Sequence, residues 1–337
     1  MNKKNKYIVS ILIIVVAGVF FQLMNKQENN QHQKIVHPPI RIALNDFPGF
    51  AYIYIAEKKD IFKKNGVQVE IIQKPATEYY ELYKNKQLDG IFVIYNNVID
   101  MFVNGVDSKV VYVLDYSNTG DGIIGKSEFT SLADLEGSVV SFDGFNNASH
   151  VYVLKALSAV GLNESNTSFE VVAVNNVLTA IKDGKIDAGY AWEPELSKGV
   201  AKGYKLLSTA GDIPGSITDV LAFHGQIVKE RPDEIQAIVK SLEEALVFLK
   251  SNRDEAISIM SEASGISIEE MANGISGVIH PGVDGNSIAM SRSSSSSSLY
   301  GSGDYFLQFL LSRGQVITIP NLEQLIDPSF VHRLKKE

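Results

Sequence analysis

The sequence predicts an α/β protein built from two lobes. Strands alternate with helices from residue 40 onwards, and the same order of elements recurs about 100 residues later. Strands that alternate with helices form parallel sheets joined by right-handed crossovers. Two such units within 337 residues indicate two similar lobes, with enough chain for a sizeable core in each.

An apolar segment at the N-terminus predicts a membrane anchor on this body. Three lysines among the first six residues precede an apolar run at 7–21, and a polar stretch follows it. A basic head before a short apolar run is typical of a secretory signal or a signal-anchor, with the basic side in the cytoplasm. We expect a transmembrane anchor over residues 1–24 and a linker over 25–38, with a cleaved signal peptide as the alternative.

The first βαβ unit begins at residue 41. β-branched residues in alternation predict strands, and Asn65-Gly66 is a typical helix end. The predicted elements are a strand at 41–44, a helix at 50–64, a strand at 67–73, a helix at 79–86 and a strand at 88–94.

The second unit repeats this order. Its first strand is followed by a Gly-Asn turn at 144–147, and its first helix ends at Gly161. The predicted elements are a strand at 138–142, a helix at 149–160, a strand at 169–174, a helix at 177–182 and a strand at 186–191.

The remaining chain is mostly helical and predicts a return to the first lobe. A short strand at 219–223 is the expected crossover, and helices are predicted at 234–251, 254–264, 267–279 and 305–313. The serine run Ser293–Ser298 is expected to be a solvated loop. We therefore predict lobe I over 39–118 and 216–337, and lobe II over 119–215.

The composition excludes several classes of protein. The net charge of −8 argues against nucleic-acid binding, which needs a basic stripe. The absence of cysteine excludes disulfides, thiol catalysis and lipid attachment at a cysteine, with Val19 in the position that such a cysteine would take. The six histidines are scattered, and the sequence contains no H-x-x-x-H pair, G-x-S-x-G elbow or P-loop. We therefore expect no catalysis, no metal and no cofactor.

Three stretches resemble substrate-binding proteins of the nitrate/sulfonate/taurine type, a group that includes the thiamine-pyrimidine binders. They are YIAEKKDIFKKNG at 54–66, DAGYAWEP at 187–194 and TDVLAF at 218–223. The chain departs from the family in three respects. Asp60 stands where glycine is usual, the lipidation cysteine is missing, and the chain contains the serine run. The resemblance implies a two-lobed periplasmic-binding-protein type II fold that closes on a small molecule and presents it to an ABC permease. Pyrimidine synthases share this fold but carry a cysteine-rich segment.

Ligands of open α/β sheets bind beyond the carboxyl ends of the strands, and four such ends provide the candidate site. Each end also has a purely structural explanation. In chain order, these explanations are a plain turn, a solvated polar end, a helix cap and a buried tryptophan. The candidate ligand-binding residues are Asp46, Phe47, Tyr52, Asn96, Asn146, Asn147, Trp192, Glu193 and Asp219.

The acids among these residues predict the ligand class. Asp46, Glu193 and Asp219 accompany aromatic residues, and no lysine or arginine stands at the four ends. This favours an amine or a nitrogen heterocycle, although a helix N-terminus could still bind a sulfonate or nitrate. The sequence predicts an extracytoplasmic solute-binding protein for an ABC permease. The alternative is a tethered sensor that signals to a membrane receptor or kinase.

Overall fold

The structure, a computed structural model, describes residues 37–336. The predicted anchor at 1–24 and most of the predicted linker at 25–38 lie outside the described residues. Among residues 37–336, no helix combines the length and the apolar character needed to cross a membrane.

The first of two sheets has six strands in the order β11-β4-β10-β3-β1-β2. β1, β2 and β3 are parallel to one another, whereas β10 and β11 pair antiparallel to their neighbours. The strands are β1 (Ile40–Leu44), β2 (Val69–Gln73), β3 (Gly90–Ile94), β4 (Ser108–Ser117), β10 (Thr218–His224) and β11 (Val278–Ile279).

The second sheet has five strands in the order β7-β6-β8-β5-β9. β6 is parallel to β7 and β8, and β5 is antiparallel to β8 and β9. The strands are β5 (Asp121–Gly125), β6 (Val139–Phe142), β7 (Ser168–Val171), β8 (Ala188–Trp192) and β9 (Lys205–Thr209).

Helices cover the faces of both sheets, as buried parallel strands require. Those before β4 are α1 (Ile53–Lys58), α2 (Ile61–Lys64), α3 (Ala76–Lys84) and α4 (Tyr95–Val103). The second sheet carries α5 (Ala148–Ser158), α6 (Val177–Lys182) and α7 (Glu195–Ala201). The C-terminal helices are α8 (Gly225–Glu230), α9 (Pro232–Ser251), α10 (Arg253–Ser264), α11 (Ile268–Ser276), α12 (Gly282–Ala289), α13 (Leu299–Ser312) and α14 (Ser329–Leu334).

Each sheet has its own hydrophobic core. One core combines the six-stranded sheet with the C-terminal helices, and the other contains the buried residues of 123–217. The half-buried side chain of Trp192 packs against both cores. The tryptophan therefore stands where the two halves of the molecule meet.

The chain passes between the sheets twice, after β4 and before β10. In the first passage the backbone N–H groups of Asn118, Thr119 and Gly120 all donate to the carbonyl oxygen of Gly277, at 2.9, 2.9 and 3.0 Å. These bonds hold the crossover against the loop after α11. When two domains close about a hinge, only a few backbone positions, such as those in a crossover, need to change conformation.

The structure adds elements that the sequence pattern did not predict. β4, β5 and β9 were not predicted. β4 is a long, mostly apolar run without the alternation that identifies a half-buried strand, and β5 and β9 are short strands with few apolar residues. α4 begins immediately after β3, so Tyr95 and Asn96 lie in the first turn of a helix rather than in an open strand end. The predicted helix at 267–279 is wrong in its last turn, where Val278–Ile279 pairs with β4 as an edge strand.

Candidate ligand-binding cleft

A cavity of about 240 Å³ lies between the two sheets. Loops after β1 and β6 contribute Asn45, Phe47 and Asp143 to its wall, and Asn147 and Trp192 follow from the second half of the molecule. A neighbouring cavity of about 410 Å³ shares several of these residues. The carboxyl ends of the parallel strands therefore meet at one cleft, as the topology requires.

Two buried carboxylates line this cavity, and a third lies behind them. Asp121 and Asp219 border the cavity although each is 2% exposed, and Asp115 is fully buried. The Tyr190 hydroxyl donates to Oδ1 of Asp121. Within residues 37–336 no donor reaches Oδ2 of Asp121, Oδ1 of Asp219 or either oxygen of Asp115. Buried acceptors without donors are costly, so the free oxygens of Asp121 and Asp219 are candidate ligand contacts.

Burial raises the pKa of all three carboxyl groups. The pKa of Asp121 rises to about 6, because desolvation outweighs the hydrogen bond from Tyr190. Desolvation also raises the pKa of Asp115 to about 8. The pKa of Asp219 rises well above its usual value through desolvation and then through the charges of Asp115 and Asp121. Strongly perturbed carboxyl groups in a cleft are typical of a functional site.

Aromatic side chains form the apolar part of the wall. Phe47, Tyr79, Tyr80 and Trp192 all border the cavity. The Tyr79 hydroxyl donates to the carbonyl oxygen of Phe92 at 3.0 Å, and the Tyr80 hydroxyl accepts from Asn97 at 3.0 Å. These bonds hold the two tyrosine rings in place. A rigid aromatic wall beside carboxylates suits a flat or cationic ligand.

The N-terminus of α5 also faces the cleft, and the chain's own side chains satisfy it. Oδ1 of Asn147 accepts from the backbone N–H of His150 at 3.1 Å. Nδ2 of Asn147 donates to Asp143 at 2.7 Å, and the Ser149 hydroxyl donates to the same carboxylate oxygen. Asp143 thus supplies the negative charge that a helix N-terminus favours. An anion at this end would lie beside the Asp143 carboxylate, and its binding there stays a prediction.

Among the described residues that line the two cavities, the basic side chains stand only at the edge. Lys84 borders the smaller cavity and Lys74 the larger one. Lys84 pairs with Glu81 at 2.9 Å, and Lys74 pairs with Glu78 at 3.2 Å. Both lysine side chains are about two-fifths exposed and already paired, so they do not offset the buried acids.

Five of the predicted site residues border the cleft. Phe47, Asn147, Trp192 and Asp219 line the smaller cavity, and the exposed Asp46 lines the larger one. Their contact with a ligand stays a prediction.

Four predicted residues lie outside the lining, for identifiable reasons. Tyr52 is fully buried with its ring 5.1 Å from that of His280, in an edge-to-face arrangement. Asn96 is buried in the first turn of α4. Asn146 has a left-handed backbone and donates its N–H to Nδ1 of His150. Glu193 accepts from the backbone N–H and hydroxyl of Ser197, at the start of α7.

Sequence reasoning missed most of the acids and tyrosines of the cleft. Asp115, Asp121 and Asp143 lie on or just after strands, and Tyr79 and Tyr80 lie on α3. Asp115 carried a usable signal, since an isolated acid within the apolar run of β4 indicates a buried charge. Among the described residues, no group of three or more His, Cys, Asp or Glu side chains is placed to hold a metal ion.

Known proteins resemble this chain in sequence and in fold. The family model described as NMT1/THI5 like matches residues 47–256. A Bacillus subtilis protein named for binding aliphatic sulfonates is 24% identical over 277 residues, 77% of this chain and 80% of that protein. An Escherichia coli protein with the same kind of name is 25% identical over 141 residues. That match covers 42% of this chain and only 44% of the relative. Both relatives are named as binding proteins and not as enzymes.

The fold matches a solved solute-binding component. The ligand-binding component of an ABC-type import system from Staphylococcus aureus, solved with zinc bound, superposes with a TM-score of 0.73 at 14% identity. The match covers 88% of this chain and 98% of that structure. The predicted α/β periplasmic-binding-protein fold is confirmed, with two sheets. Its division into two lobes stays a prediction.

Proposed function

Because the chain belongs to the NMT1/THI5-like family, we propose that it is an extracytoplasmic solute-binding protein that delivers a small molecule to an ABC permease. The solute is an amine or a nitrogen heterocycle, bound in the cleft between lobe I (39–118 and 216–337) and lobe II (119–215). The two separate sheets and cores support this division.

The proposed ligand class follows from the chemistry of the cavity wall. Asp121 and Asp219 present buried oxygens without protein donors, beside the indole of Trp192. Protonated amines and ring N–H groups donate hydrogen bonds to such oxygens, and charge-assisted bonds of this kind are the strong ones. The aromatic wall adds stacking and cation–π attraction.

The same wall disfavours the anions for which the curated relatives are named. A sulfonate brings a negative charge and needs several donors. Here the N-terminus of α5 is capped by Asn147 and faces Asp143, and the lining lysines Lys74 and Lys84 are paired at the rim. A second negative charge near Asp121 and Asp219 meets repulsion that a low-dielectric cleft strengthens.

Delivery to a permease rests on relatedness and on the two-lobed architecture. The similar structure from Staphylococcus aureus is the ligand-binding component of an ABC-type import system. Two passages of chain between the lobes allow rotation about a hinge, which lets such a protein enclose its ligand. The basic and then apolar N-terminal segment at 1–24 would hold the body at the outer face of the membrane.

A thermal-shift screen of the full chain tests the ligand class. The panel contains aromatic amines, aminopyrimidines, alkylsulfonates and nitrate. A bound compound at 100 times its Kd adds about 2.7 kcal/mol to the free energy of unfolding. We expect amines or nitrogen heterocycles to raise Tm and sulfonates to leave it unchanged. A shift with sulfonates or nitrate alone would contradict the proposal.

Uptake by cells tests the delivery step. Cells that lack this chain should lose uptake of the best compound from the screen, and a plasmid that carries the chain should restore it. Uptake that is equal with and without the chain would separate binding from transport and argue against the permease partnership.

A further inference from the structure

Two buried acids face each other behind the cleft. The register of β4 and β10 places Asp115 directly opposite Asp219, with exposures of 0% and 2%. Residues directly opposite on antiparallel strands have Cβ atoms about 5 Å apart. At this separation and in this burial, two negative charges would repel each other strongly.

In the described structure, no positively charged group compensates the negative charge of this pair. No lysine or arginine is among the groups that shift the pKa of Asp115, Asp121 or Asp219. The titratable groups whose charges couple to the pair are acids or phenols: Asp121 on β5, Tyr52 before α1, Tyr79 and Tyr80 on α3, and Tyr190 on β8. His280 lies beyond Tyr52 and Gly49, and burial lowers its pKa to about 4, so it is neutral at pH 7.

We propose that the Asp115–Asp219 pair holds at least one proton in the ligand-free protein at neutral pH, and that a cationic ligand displaces a proton when it binds. The inference rests on the proposed function, because it concerns the same cleft and assumes a ligand with a positive group. It adds that the site exchanges a proton for its ligand.

The arrangement of the acids explains why the exchange takes place. Asp219 and Asp121 border the cavity, whereas Asp115 lies behind them, where a Cβ on Gly49 would be 2.8 Å from its Oδ2. A cation therefore docks on Asp219 and Asp121. Its charge makes the second negative charge of the pair tolerable, the carboxylic acid O–H ionises, and the proton leaves to solvent. The ligand N–H groups then donate to the freed oxygens.

Counting charges tests the first half of the proposal without a ligand. The double variant Asp115→Asn/Asp219→Asn removes the pair's charge. Capillary electrophoresis at pH 7 should show a net charge at most about one unit more positive than that of the wild type, since one or both carboxyl groups already carry a proton. The matched control Asp233→Asn/Asp254→Asn changes two exposed carboxylates and should shift the charge by about two units. A shift of two units in the buried double variant overturns the proposal.

Proton release tests the second half on the wild-type chain. Benzamidinium is the probe, because it stays charged between pH 6 and 8, and benzamide is its neutral counterpart of the same shape. Calorimetric titration in two buffers of different ionisation enthalpy measures the protons exchanged. We expect release of up to about one proton per benzamidinium bound. The double variant Asp115→Asn/Asp219→Asn should release none at this pair.

The outcomes separate this proposal from the proposed function. Benzamidinium that binds better than benzamide without proton release supports a cation site and overturns the proton exchange. A charge shift of one unit or less, with no preference for benzamidinium or any amine over sulfonates, supports the bound proton and overturns the cationic ligand and its exchange.

Discussion

Asp121 lies directly opposite Trp192 on the antiparallel strands β5 and β8, so the acid and the indole form a cross-strand pair at the cleft. Directly opposite side chains are near neighbours on one face of a sheet. Both residues also border the cavity. One pairing of strands thus presents a charge and a stacking surface side by side, and four predictions follow from this cleft and its supports.

Replacing Asp121 should weaken the binding of a cation. The variant Asp121→Asn keeps an acceptor for the Tyr190 hydroxyl and removes the negative charge. Hydrogen bonds to charged groups contribute about 1.5–3 kcal/mol, so we expect at least a tenfold rise in the Kd of benzamidinium by calorimetry. Benzamide affinity should change little. An equal loss for both probes would assign Asp121 a structural role instead.

Trp192 should report on ligand binding directly. It is the single tryptophan of the chain, so its fluorescence needs no labelling. We expect a saturable change in emission with the best amine or heterocycle, and a loss of about 1–2 kcal/mol of binding free energy in Trp192→Ala. Val200→Ala removes an exposed apolar side chain outside the cleft and serves as the control. Emission that does not respond to a ligand which raises Tm would place that ligand elsewhere.

The buried acids should make the protein less stable as the pH rises. Asp115 has its pKa raised from 3.8 to about 8, so the folded state binds the extra proton between these values. Stability is therefore fully present below about pH 4 and is lost as the pH rises through about 8, by up to about 1.4 kcal/mol per pH unit. Urea denaturation between pH 6.5 and 8 should show this slope, and Asp115→Asn should flatten it.

The comparison with Asp115→Asn removes the histidines from this measurement, because both proteins contain them. Burial lowers the pKa of His150 and His280 to about 4. Their contribution has the opposite sign: it grows as the pH rises from about 4 through 6.5 and levels off about one unit above that value. A wild-type slope equal to that of Asp115→Asn above pH 6.5 would show that Asp115 is ionised in the folded state.

An ion pair on the outer surface should tune the closure of the lobes. Arg313, just after α13, donates two hydrogen bonds to Glu164 of the second lobe, at 2.8 and 2.6 Å. Exposed pairs contribute about 0.2–1 kcal/mol, so Glu164→Gln should weaken ligand affinity by up to about fivefold, and added salt should reduce this difference.

The matched control for this pair lies within one lobe. Lys64 and Glu244 form an ion pair at 2.8 Å between α2 and α9. The variant Glu244→Gln removes a comparable exposed pair without touching the contact between the lobes, so its ligand affinity should equal that of the wild type. Equal losses in Glu164→Gln and Glu244→Gln would exclude a role in closure.

The repeated βαβ order was predictable from the sequence because it depends on local patterns. β1, β2, β3 and β6 follow from short β-branched runs and their turn residues. β4 and β5 were not predictable in the same way. Most of their residues are buried, so they show little alternation, and their place in the sheets depends on pairing with β10 and β8.

The candidate site likewise has a part that the sequence predicted and a part that it did not. The sequence by itself determined that the chain repeats a βαβ unit, that acids and Trp192 stand at strand ends, and that no arginine accompanies them, because these are local properties of the chain. Only the tertiary structure decided which of these acids face the cleft. It brings Asp115 against Asp219, which are far apart in the sequence. The reason is physical: contacts between residues about 100 positions apart depend on strand register, which no local pattern encodes.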